Sequence, residues 1–237
     1  MIRKKHIVTA LALVACIGCE QASQKTDSMV RRDAADTEYQ ALIDKAQALT
    51  SPTTFSEPVR HLSELIIIQN LVAESKAVYK DARILHWDDS DVEALESRLQ
   101  SINQPLALAS LDAFSTALDM SLTFKKKKTD VESLPVSDNT LAKQALLTHL
   151  KTFNAELDAC CVEKITLINR FLSSEKEKYF DVIKLGHNTL HYMGMLIRGE
   201  ITEQALRNKI ASQRHTITEL ASLSADNQSD AKEHVPD

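Results

Sequence analysis

Glycine is nearly absent from this chain, with four in 237 residues, and Gly18 stands inside the first twenty. Hairpins draw on glycine for turns with positive φ, so an all-β architecture is excluded for the remainder, which holds only Gly186, Gly194 and Gly199. Phosphate loops and dinucleotide fingerprints need several closely spaced glycines, and both are excluded on the same ground. Aromatic residues are scarce at 5%, which predicts a core of Leu, Ile, Val and Ala. Pro52, Pro58, Pro105 and Pro135 fall at segment edges and Pro236 near the end, leaving long uninterrupted stretches between them. No Ser/His/Asp or His-Glu-x-x-His pattern is present, so a catalytic site would have to be assembled from scattered residues.

What is present begins with an N-terminus of two parts. Met1 to His6 carries Arg3, Lys4 and Lys5, and Ile7 to Ala15 is apolar. A cationic segment followed by a short apolar one is an export signal, well under the roughly 20 apolar residues of a spanning helix. Leu13-Val14-Ala15-Cys16 resembles the lipobox of bacterial lipoproteins, a resemblance confined to about twenty residues. It implies a diacylglyceryl group on the Cys16 sulfur, cleavage before that cysteine and acylation of the new amino terminus. Cys19, behind Ile17-Gly18, is the alternative; it lacks Leu at the favoured position, but cleavage there would leave an even pair of cysteines. In proteins with this signal, Asp after the lipidated cysteine retains them in the inner membrane. Ile17 or Glu20 stands there, which points to the outer membrane, facing the periplasm.

Removing Arg3, Lys4 and Lys5 from the 28 basic residues leaves 25 against 33 acidic ones, a balance of −8. A nucleic-acid binder needs a basic field to engage phosphates, so no nucleic-acid partner is expected. The expected partners are the membrane, through the lipid, and an envelope protein. Apart from the diacylglycerol and N-acyl lipid, no cofactor is expected.

Residues 16–35 read as a lipidated polar tether following a signal of 1–15 (or 1–18), residues 36–224 as one helical domain and 225–237 as a disordered tail. Within the domain, Tyr39, Leu42, Ile43, Ala46 and Leu49 recur at helical spacing. A second helix is predicted from Ser56, with Pro58 in its first turn, to about His86; its Leu65-Ile66-Ile67-Ile68 run marks it as central. Ser90 and Glu93 form a capping box, Pro105 breaks or kinks the helix that follows, and a fourth helix runs into Lys125 to Lys128. A long helix is predicted from Asn139 to Leu172 with Asp138 as cap, another from a Ser174/Glu177 capping box to Gly199, and a last one from Thr202 to Leu223. About six to seven helices joined by short loops imply an all-α, antiparallel bundle with a few long members.

Two clusters carry chemistry. His187 and His191 are four apart and would share a face of a continuous helix, and with Met195 they make a candidate site for copper or zinc. Met193 lies on the apolar line Ile183, Gly186, Leu190, Met193, Ile197, where it packs. Gly186 and Gly194 would let a neighbouring helix approach closely. Cys160 and Cys161 are adjacent in a chain destined for an oxidising compartment. A bond between neighbours does not suit a helix interior, which leaves buried thiols or a disulfide to Cys19. Lys125 to Lys128 could touch anionic headgroups but reads first as a solvated loop, and Glu57 with His61 as an i, i+4 surface pair. The function expected is a structural or protein-interaction role for a lipid-anchored, non-catalytic envelope protein, with a periplasmic metal-binding module as the alternative.

Overall fold

Among the described residues, several consecutive helices are joined by turns or by a single residue outside either helix. The computed structural model describes residues 29–82, 90–135 and 139–230, and among these there is no strand. The stretch read as an export signal, Cys16 and Cys19, the His86-Trp87 region, Asp138 and residues 231–237 lie outside them. The helices are α1 (29–49), α2 (Leu62–Ala82), α3 (Ser90–Ser101), α4 (Asn103–Glu132), α5 (Asn139–Leu157), α6 (Glu163–Leu172), α7 (Phe180–His187), α8 (Thr189–Arg198) and α9 (Glu203–Asp230). A π-turn, Asp158–Val162, joins α5 to α6 without a break, so this pair is the single long helix read from the sequence.

The chain divides into two compact units, one holding the residues up to Ser51 with Ile67–Ser97, the other Pro52–Ile66 with Arg98 onward. In the first, α1 buries Tyr39, Ile43 and Ala46, and Lys76 on α2 pairs with Glu96 on α3. The chain is already helical at Met29, inside the stretch expected to be tether. Met29 and Val30 stay exposed there, so this part of the helix has no apolar face to betray it. Ile67 on α2 is 46% exposed, so the isoleucine run is not buried all round as expected.

In the second unit α4 is the element on which α5, α6, α7, α8 and α9 pack. Its sequence explains this: small buried residues (Ala107, Ser110, Ala113, Ala117, Ser121) let neighbouring helices come close, and Leu106, Leu111, Phe114, Leu118 and Phe124 fill the space between them. Helix α9 lies antiparallel to α4, with Arg207 bonded to Asp119 at 2.8 Å and Arg214 to Asp112, seven residues further on each helix. Phe114 meets Tyr192 of α8 edge-on with ring centres 6.1 Å apart.

Several boundaries differ from those expected, each for a local reason. Residues 52–61 form successive turns, with Ser56 and Glu57 donating to the Thr53 carbonyl, so Pro58 precedes α2 instead of opening it. The break before α4 falls at Ile102. Pro105 occupies the third position of α4, where its missing N–H would have had no partner within the helix. Ser173 and Ser174 donate to the carbonyls of Arg170 and Phe171, finishing α6, and no new helix opens at Ser174. A 3₁₀ turn and a loop follow before α7 starts at Phe180. Asn188 interrupts the next helix between α7 and α8, its amide donating to the Lys184 carbonyl at 2.7 Å. The lysine run lies within α4, which continues to Glu132, and α9 runs to Asp230, past the expected end at 224.

Candidate functional site

Helices α5 and α8 both pack on α4, and between them lies a groove of about 490 Å³. Leu150, Phe153 and Leu157 line it from α5; Leu190, Met193 and Ile197 line it from α8. Phe153 is fixed from behind by stacking on Phe124 of α4, ring centres 4.7 Å apart. Met193 is buried at the groove floor, whereas Leu190 is 55% exposed. On the α5 side Leu150 is 36% exposed at the mouth of the groove. Contiguous apolar surface of this kind, rimmed by polar groups, marks an interaction site. Here the polar groups are Asn154, Asp158 and Arg198. Arg198 is held by Glu200 at 3.0 Å, and that hydrogen bond, aided by the charges of Arg198 and His191, keeps the Glu200 carboxyl below its usual range.

The groove exists because α8 ends sharply beside it. Gly199 adopts φ 79, its N–H bonds the Leu196 carbonyl, and the Glu200 N–H bonds the Met195 carbonyl, the paired closure that ends a helix at a left-handed glycine. At the other end, the Thr189 hydroxyl donates to the Gly186 carbonyl and Asn169 donates from α6 to the Ile183 carbonyl. Gly186 faces Asn169 and Ile165 so closely that a Cβ there would meet them at 2.6 and 2.7 Å. The close approach expected at Gly186 is therefore present. That expected at Gly194 is not, since its nearest neighbour is Arg198 of the same helix.

The sequence-derived site residues fall in different places. His187 and His191 are both exposed and belong to different helices, α7 and α8, separated by Asn188; the shared face required one continuous helix. Met195 is half-buried. Among the described residues no three or more His, Cys, Asp or Glu side chains gather as a metal would require. Cys160 and Cys161 are bonded to each other, against the expectation that neighbours within a helix would not pair. The π-turn supplies the reason, because its wider coil turns successive residues by about 80° instead of about 100° and brings adjacent side chains together. Cys161 is fully buried, Cys160 is exposed, and the Cys160 sulfur lies 3.4 Å from Met120 Sδ of α4.

Glu57 pairs with Arg60 at 3.2 Å, and His61 with Glu64 at 3.3 Å, so the expected Glu57 to His61 pair is replaced by two i, i+3 pairs. Glu64 also accepts from the buried Thr54 hydroxyl at 3.2 Å, a structural anchor for the turns before α2. No helix among the described residues is long and apolar enough to cross a membrane. The groove and the Met120 contact were missed in the sequence. No family model, no curated protein and no solved structure matches this chain.

Proposed function

We propose that the chain is a lipid-anchored, non-catalytic helical protein of the bacterial cell envelope that docks an amphipathic helix of an envelope partner in the α5/α8 groove. The observation that carries the docking is the exposure of Leu150 and Leu190 on either side of a concave floor formed by Phe153, Leu157 and Met193. A helix with apolar residues at three- and four-residue spacing fills such a groove, and its polar flank meets Asn154, Asp158 and Arg198. Anchoring rests on the lipobox-like Leu13-Val14-Ala15-Cys16, and attachment by acyl chains leaves the folded part free to use its surface for a protein. The alternative, a copper or zinc module on His187, His191 and Met195, has no comparable convergence of side chains.

A photoreactive side chain in place of Leu190, in the full chain expressed in a bacterial host, tests the docking. One adduct is expected, mapping to an amphipathic helix of the partner and lost with Leu150→Glu; the same probe in place of Lys126 should give none. Equal labelling from both positions, or none from Leu190, would overturn it. Anchoring is read separately by detergent-phase partitioning, where the wild-type chain enters the detergent phase and the double variant Cys16→Ser, Cys19→Ser does not.

A further inference from the structure

Three sulfur atoms converge where the long helix widens. Cys160 and Cys161 are adjacent on the π-turn, and Met120 reaches across from α4 to within 3.4 Å of the Cys160 sulfur. Single-turn π-bulges inside α-helices are frequent at functional positions, and this one coincides with the two cysteines. Burial is graded: Cys161 is enclosed, Met120 is half-buried and Cys160 opens to solvent. Met120 also borders a hollow of about 160 Å³ with Phe124, His149 and Phe153, which offers a way in beside the sulfurs.

We propose that Cys160, Cys161 and Met120 form a site for a soft monovalent cation, copper(I), closed while the cysteines are bonded and opened by their reduction. A dithiol reductant transfers two electrons and two protons to the Cys160–Cys161 bond and itself becomes a disulfide. The bond breaks and two thiols form. Copper(I) then displaces both thiol protons to solvent, making two copper–thiolate bonds, and Met120 donates a lone pair as a neutral third ligand. The complex carries a net charge of −1. Thiolate and thioether donors select copper(I). Zinc is held instead by four ligands drawn from thiolate, imidazole and carboxylate, a set that has no place for Met120.

The test uses the full chain with Cys16→Ser and Cys19→Ser, so that copper uptake reports on this site alone. After reduction with a dithiol and its anaerobic removal, copper(I) is titrated against a chromophoric chelator of known affinity. One equivalent per chain is expected in the reduced protein and none in the oxidised one. Met120→Leu should weaken binding at least tenfold while keeping the stoichiometry, and the added pair Cys160→Ser, Cys161→Ser should abolish it. Circular dichroism confirms that each variant keeps its helix content. No uptake by the reduced chain, uptake retained without the two cysteines, or an affinity unchanged by Met120→Leu would overturn the assignment.

Discussion

Gly186 and Gly194 look alike in the sequence, each within a short helix, yet their surroundings give substitutions opposite signs. A methyl group at Gly186 would strike the Asn169 amide and Ile165, both buried, and Asn169 is held by its bond to the Ile183 carbonyl. Overpacking of that kind costs about 1–3 kcal/mol, more than the 0.5–1 kcal/mol or so that alanine gains over glycine in a helix. Gly186→Ala is therefore expected to lower the urea midpoint. At Gly194 the close atoms are those of the Arg198 guanidinium, the exposed far end of a long side chain, and Gly194→Ala should raise the midpoint or leave it unchanged. Tyr179 gives a pH test. Burial, with a smaller contribution from the Glu175 charge, pushes its hydroxyl up to about 12, from 10.0. The unfolded chain releases that proton near pH 10 while the folded one keeps it, so the associated stability is complete below pH 10 and is lost as pH rises towards 12. The loss approaches about 2–3 kcal/mol, and Tyr179→Phe should flatten the alkaline limb of a stability profile by that amount. The close approach at Gly186 was legible in the sequence, whereas the open space at Gly194 and the shift at Tyr179 were not, because they depend on which residues other helices bring alongside.

Helix ends were readable where a residue type leaves no choice and obscure where it does. Gly199 stands at positive φ, as its place after the last apolar residue of α8 implied, and Gly199→Ala should cost about 1–2 kcal/mol in thermal or chemical unfolding. Ser174 carried the same spacing as a true capping box. A hydroxyl can serve a preceding carbonyl as well as a following N–H, and here the former prevails. Along α9, Leu206, Ile210 and Ile217 recur at helical spacing and are all buried, while Leu220 on the same line is half-buried. Arg207 and Arg214 gave no sign of their partners, which are 88 and 102 residues away. These ion pairs are exposed, so Arg207→Ala should lower the urea midpoint only slightly, and the difference should vanish in high salt. Leu206→Ala, fully buried, should cost about 2–5 kcal/mol whatever the salt concentration.

For the molecule as a whole, fold class followed from absences: too few glycines for hairpins and too few prolines to interrupt helices. The placement of surfaces did not follow. Leu150 shares a face of α5 with the buried Phe153 and Leu157, yet the structure leaves it partly exposed at the mouth of the groove, which α5 and α8 form by both seating on α4. The same geometry separates His187 from His191 through one non-helical residue, a change that helical spacing could not anticipate. Introducing charge at the groove should act on binding and spare the fold. Leu150→Glu is expected to leave the thermal midpoint within about 1 kcal/mol equivalent of wild type, as for most surface substitutions, while abolishing the cross-link from position 190.

The pairing of α9 with α4 has a consequence for how the chain finds its own alignment. Arg207 and Arg214 match Asp119 and Asp112 in reverse order at one spacing. Sliding α9 by seven residues, about 10 Å, would keep the same helix face towards α4 but fill only one of the places of Leu206, Ile210 and Ile217 with another apolar residue. In one direction Arg207 would meet Asp112; in the other Arg214 would meet Asp119. Either slip keeps a single ion pair and strands the other two charges, so bonds that contribute little to the depth of the native state serve to tell it from its nearest imitations.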